Sequence, residues 1–415
     1  MVDLLALQPG TMWPCRCGCG VMRENLVSVE WKVALMIVLL LLLRIVAFVV
    51  GAAIALGTFL SAIRTFVLPR GAPDVISRNV FIGTRLLFEV PRKRAQTFAL
   101  RDRIMELYAP VTLLVLLTTW LLCIQIGYMG MYWALSTHSW YDTFKISGSS
   151  LLTLGIAFED APLTTVLIFS EATIGLILIA LLIAYLPTIY GAFERRELAV
   201  TMLEVRAGSP PSALEMIKRY NNLNRLHLLG ELWTSWEVWF VDIEESHTSL
   251  AVLSFFRSPQ PHRSWVTAAG TILDAAALVL STVDIPRDSQ ADLCIRAGYL
   301  ALGYIASFFR IDYNPNPAPT DPISITREEF DAAYDELAKA AVPLKVDREQ
   351  AWRDFSGWRV NYDTVLLALA ELTMAPVAPW SSDRILDQPS NTLVRWRKGG
   401  RKMIERHEWI PPSDI

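Results

Sequence analysis

The eight residues Thr153-Leu154-Gly155-Ile156-Ala157-Phe158-Glu159-Asp160 combine groups that could handle an ion. A short extended segment holding a Thr and a Gly can turn carbonyl and hydroxyl oxygens to one side. Such oxygens can replace a cation's hydration shell. Glu159 and Asp160 follow as carboxylates able to concentrate cations at an outer mouth. Glu171 sits in an otherwise apolar run, and an intramembrane carboxylate is a functional candidate by default. It can face the ion path or the back of the segment, or bond to the loop of a neighbouring copy. Further along, Gly175 and Pro187 are places where a long helix can flex or bend.

These residues need elements to hold them, and the composition says which. Of 415 residues, 53% are hydrophobic and 19% charged, against roughly a quarter charged in an ordinary soluble domain. Between Tyr108 and Phe193 only Asp142, Lys145, Glu159, Asp160 and Glu171 are charged. This excludes a disordered chain, a wholly soluble enzyme and a protein that binds nucleic acid through a basic excess. A bilayer core takes about 20 apolar residues in a helix. Three stretches qualify: Ile45 to Ile63 with a preceding apolar run from Val33, Pro110 to Ala134, and Pro162 to Tyr190. Arg44 interrupts the first and is expected to snorkel toward an interface.

Nine Lys and Arg residues, Arg64 through Arg103, follow the first span. Only Lys145 lies between the second and third, and Arg195 and Arg196 follow the third. The positive-inside rule then puts the first connection and the C-terminal half in the cytoplasm, and the N-terminus outside. The expected organisation is a disordered tail (1–32), a first transmembrane helix (33–66), a basic cytoplasmic connection (67–107), a membrane module (108–193), an α-helical cytoplasmic domain (194–390) and a tail (391–415). The location expected is the cell membrane, as a multi-pass protein in contact with the lipid bilayer.

Ser139-Trp140-Tyr141-Asp142 reads as a capping box, and a helix from Trp140 to about Leu152 is too short to cross a bilayer. It fits a re-entrant helix. Non-helical backbone beyond it is tolerated at membrane depth only where it lines a cavity. One such segment cannot surround an ion, so four copies around an axis are needed. This order of span, re-entrant helix, Thr-Leu-Gly segment, acidic mouth and long glycine-bearing span resembles the pore module of the potassium channel superfamily over residues 108–196. Thr153, Leu154 and Gly155 fall on the first three places of the family's Thr-Val-Gly-Tyr-Gly filter. Ile156 replaces the aromatic and Ala157 the second Gly. The resemblance implies an all-α homotetramer that passes monovalent cations, potassium first, through a filter of Thr153, Leu154, Gly155, Ile156 and Ala157. Gly175 then resembles the inner-helix hinge, with Glu171 and Pro187 beside it in gating. A left-handed backbone at Ala157 would cost roughly 1–2 kcal/mol in each subunit.

In the C-terminal half, helices are expected at about 213–247, 264–283, 289–309, 326–340, 347–356 and 360–373. Ser212-x-x-Glu215 and Thr326-x-x-Glu329 are starting caps. Trp233, Trp236, Trp239, Phe255, Phe256 and Trp265 read as core. Glu244, Glu245 and His247, with Asp242, offer either a metal pair or a polar helix face. Cys15, Cys17 and Cys19 lack the partners of a zinc site. No Gly-x-Gly-x-x-Gly, phosphate loop, His-Glu-x-x-His or Gly-x-Ser-x-Gly motif is present, so the domains those motifs mark are not indicated. The channel resemblance itself implies a protein that is not an enzyme and needs no organic cofactor. The competing reading is a non-conducting, membrane-anchored signalling or scaffold protein with a partner-binding helical domain. A membrane enzyme acting through Glu171 or the Glu244/His247 pair comes third.

Overall fold

The computed structural model describes residues 19–68, 74–95, 97–136 and 138–385. The protein is 77% helix, and no strand forms among the described residues. The helices are α1 (Cys19–Phe66), α2 (Val75–Arg94), α3 (Phe98–Glu106), α4 (Tyr108–Leu135), α5 (Trp140–Leu151), α6 (Pro162–Ala207) and α7 (Ala213–Asn222). They continue with α8 (Leu229–Ser249), α9 (Trp265–Thr282), α10 (Ser289–Phe308), α11 (Arg327–Lys339), α12 (Arg348–Arg359) and α13 (Asp363–Thr373). Four segments are long and apolar enough to cross a membrane: Trp31–Phe66, Phe98–Leu135, Pro162–Ala207 and Trp265–Thr282. The chain is a membrane protein by that measure. The fourth candidate was not among the three stretches expected from sequence. Its most apolar window is 94% buried, against 0% for Trp31–Phe66, so it is apolar all round because other helices enclose it.

The chain divides into two compact units, Met1–Leu60 with Trp120–Ile177 and Ser61–Thr119 with Leu178–Ile415. In the first, α1 and α4 approach at glycine. A side chain on Gly51 would meet the Gly127 carbonyl oxygen at 2.4 Å, and one on Gly127 would meet that of Gly51 at 2.7 Å. Small residues permit such close backbone contact where lipid offers no hydrophobic drive. Arg44 is not left to snorkel alone: its guanidinium lies 6.0 Å from the Trp133 ring centre.

In the second unit, α8 packs along α10, and α9 lies against α7, α10 and α12. Trp233, Trp236, Trp239, Phe255 and Trp265 are buried there, as expected, with Phe256 half-buried. The stretch after α1 folds into α2 and α3 and belongs to this unit. Arg85 of α2 is buried with its guanidinium 5.7 Å from the Phe255 ring, and Arg257 pairs with Asp102 at 3.4 Å. Helix α1 begins at Cys19, fourteen residues before Val33. The expected helix at 213–247 is broken after Asn222, where Asn224 takes φ 55° and a 3-10 turn, Leu226–Leu228, intervenes. Cys15, Cys17 and the tail 391–415 lie outside the described residues.

Candidate functional site

Helix α5 starts where the sequence caps it, with the Ser139 hydroxyl accepting from the Asp142 amide at 3.2 Å. Trp140 stacks on Trp133 with ring centres 5.6 Å apart, fixing that end against α4. Thr143, Ile146, Ser147 and Ser150 recur at helical spacing on the buried face. Three of the four carry hydroxyls, so this face bonds as well as packs. Ser150 donates to the Ile168 carbonyl at 2.7 Å, and Ser147 lies 3.3 Å from that of Gln125.

The helix closes on a Schellman motif. The Leu154 amide donates to the Ser149 carbonyl at 2.8 Å and the Thr153 amide to that of Ser150 at 3.0 Å. Thr153 is thereby held at φ 55°, a left-handed conformation costly for a β-branched residue. Gly155 follows at φ 68°. Ala157, where a left-handed backbone was expected to be costly, has no positive φ; Thr153 carries that cost instead. Next, the Ser149 hydroxyl accepts from the amides of Ile156 and Ala157 at 2.9 and 3.0 Å. Four amides of the Thr153–Ala157 segment thus turn back onto α5. No described hydrogen bond uses any of its five carbonyl oxygens. Leu154, Ile156 and Phe158 are exposed, and Ile156 is 77% so.

Behind α5, Glu171 of α6 is fully buried. Its two carboxylate oxygens accept from Ser147 Oγ at 2.5 Å and from Tyr132 Oη at 2.8 Å. Of the sequence alternatives, the one closest to this is a bond to the loop, but it is made to α5 of the same chain. Tyr128 and Ser170 add a second hydroxyl pair at 2.9 Å. Gly175 also acquires a specific reason. A Cβ there would meet the Leu151 carbonyl oxygen at 2.3 Å, so α6 approaches the end of α5 only without a side chain.

Glu159 is not a free carboxylate, since it lies 3.2 Å from His138 Nε2, whereas Asp160 is exposed. Pro187 lies within α6, which stays helical from Pro162 to Ala207. In the second unit, His247 is buried with Nε2 3.4 Å from Arg196 Nη1, while Glu244 is half-buried. A guanidinium facing that nitrogen is unsuited to a metal pair. Among the described residues no three His, Cys, Asp or Glu side chains converge on one point. Sequence reasoning missed Ser149 and Tyr132. The run Ser147-Gly148-Ser149-Ser150 inside an apolar region was the available signal for the first. Tyr132 had none, being 39 residues from the carboxylate it binds.

Comparison with protein families, with curated proteins and with solved structures found no match.

Proposed function

We propose that the protein is a homotetrameric, pore-loop cation channel, with Thr153 to Ala157 as its ion-coordinating segment. One observation carries this reading: four of the segment's five amides are tied to α5, while none of its carbonyl oxygens has a partner among the described residues. Oxygens freed in this way are what a dehydrating cation requires. Four copies are needed to enclose it, and the exposed Leu154, Ile156 and Phe158 supply apolar surface for copies to cover. Asp160 draws cations to the mouth and His138 tempers Glu159. Gly175 sets how closely α6 approaches α5, Glu171 braces α5 from behind, and Pro187 removes a backbone donor from α6. Potassium is the first candidate ion. The membrane is the cell membrane, with the N-terminus outside and the helical domain in the cytoplasm, following the distribution of Lys and Arg.

The Schellman cap favours the second reading, a non-conducting membrane anchor. It consumes the Ser149 and Ser150 carbonyls and so reduces the negative charge at the helix end. Planar-bilayer recording of purified protein under potassium, sodium and chloride gradients separates the two. The channel reading expects a current whose reversal potential follows a monovalent cation, abolished by Gly155→Val and reduced by Ser149→Ala. Silence at every voltage, or a reversal potential following chloride, overturns it.

A further inference from the structure

The helical unit contains a cavity of about 450 Å³ bounded by the 3-10 turn before α8, the end of α9 and one side of α12. This volume is in the range of small-molecule sites. Its walls are apolar, with Leu226, Trp233, Val279, Val283 and Trp358 all buried. Two cations stand among them, Arg287 and Lys345. Lys345 is half-buried, its ammonium donates to the Leu280 carbonyl at 2.6 Å, and no described ion pair includes it. An ammonium has three donors and this bond uses one. A charge on an apolar wall without a counter-ion is costly, and a bound anion relieves that cost. A second lining group, the indole N–H of Trp233, is buried and donates no hydrogen bond.

The surrounding charges limit what that anion can be. Arg287 is occupied by Asp292 at 3.3 Å, and Asp288 and Asp354 also line the cavity. Asp288 accepts from the Gln290 amide at 2.9 Å and Asp354 from Gln350 Nε2 at 2.8 Å, so both acids have donors of their own, but their charge still disfavours a phosphate dianion. The Lys345 ammonium and the Trp233 indole N–H together can meet no more than one carboxylate. We propose that this cavity binds a small amphiphilic carboxylate, its apolar body against the Trp233 and Trp358 walls and its carboxylate on Lys345. The site belongs to the helical unit alone and does not depend on the channel reading.

The test is calorimetric titration of the full chain in lipid nanodiscs with indole-3-acetate, with tryptamine and indole-3-acetamide as cationic and neutral controls. Saturable binding of the acid, with neither control binding comparably, is the expected result. Lys345→Met should weaken it by about tenfold or more and Lys345→Arg should restore most of it. Equal binding of the three probes, unchanged affinity in Lys345→Met, or no saturable binding of the acid overturns the site. The comparison of probes on the unaltered protein decides the matter even if Lys345→Met does not fold.

Discussion

Glu171 and Arg359 are both fully buried, one in each unit, and they are held by different chemistry. Glu171 has only hydroxyls for company, from Ser147 and Tyr132. Arg359 has charge: its Nε donates to Asp363 at 2.7 Å, its Nη1 to Asp274 at 2.5 Å, and its Nη2 to the Trp380 carbonyl at 2.7 Å. Tyr362 and Ser324 donate to the same two carboxylates at 2.9 and 2.6 Å. The unit that carries the candidate site therefore positions a helix with neutral donors around one acid. The helical unit locks its core with a cation and two acids. Removing the acid from the first strands hydroxyls, whereas removing the cation from the second strands charges. The two losses should differ in size.

The larger effect belongs to Arg359. Arg359→Met leaves Asp274 and Asp363 buried without a cation, which costs about 3–5 kcal/mol. Thermal unfolding followed by circular dichroism should show a fall in midpoint of about 10 °C. Adding Asp274→Leu should recover part of it, because an apolar replacement of the whole cluster is tolerated better than half a cluster. Glu171→Leu comes next. It leaves Ser147 with only the Gln125 carbonyl at 3.3 Å and takes the carboxylate from the Tyr132 hydroxyl, at about 1–3 kcal/mol for a buried group left unpaired. Glu171→Gln keeps an acceptor and should lose less. A Glu171→Leu variant as damaging as Arg359→Met would break the distinction between the units.

Gly175→Ala sharpens the same contrast from the side of backbone packing. The added carbon collides with a carbonyl oxygen rather than a movable side chain, so a cost of about 1–3 kcal/mol is expected. Gly57→Ala is the control, since nothing lies within 4 Å of that position and helix propensity alone should make the change neutral or slightly stabilising. Equal midpoints for the two variants would mean that α6 does not approach α5 as described.

Local features were legible in the sequence. The Ser139 and Ser212 caps and the Thr326–Glu329 capping box all form at the expected residues, because each is set by neighbours within one turn. The apolar stretches were legible as length and composition, but not as location. Trp265–Thr282 passes the same hydropathy test as a span, and only its enclosure by other helices distinguishes it. The break after Asn222 was readable from Asn224, a residue that tolerates a left-handed backbone. What could not be read was pairing over distance. Arg359 and Asp274 are 85 residues apart, and Ser149 serves as a cap for the candidate segment only because the chain turns back on it. The close approach at Gly175 likewise depends on a carbonyl 24 residues away, which its own sequence context does not reveal.

The smallest effect tests a third way of burying a titratable group, beside a charge of the sign it would itself acquire. His247 packs its ring 4.6 Å from that of Trp265, with Ser246 Oγ 3.1 Å from Nδ1 and the Arg196 guanidinium beyond Nε2. Burial, and then the positive charge of Arg196, hold its pKa well below the ordinary histidine value. The folded protein therefore keeps this imidazole neutral while the unfolded chain protonates it near pH 6.5. Below that pH the unfolded state binds the extra proton, so the contribution of His247 to stability is complete above the unfolded value and lost as pH falls. Between about pH 6.5 and 5.5 the loss is about 1 kcal/mol. His247→Gln removes the titration, and the slope of stability against pH should flatten by that amount relative to the parent. Parallel slopes would mean that His247 is protonated in the folded state, with Arg196 turned away from it.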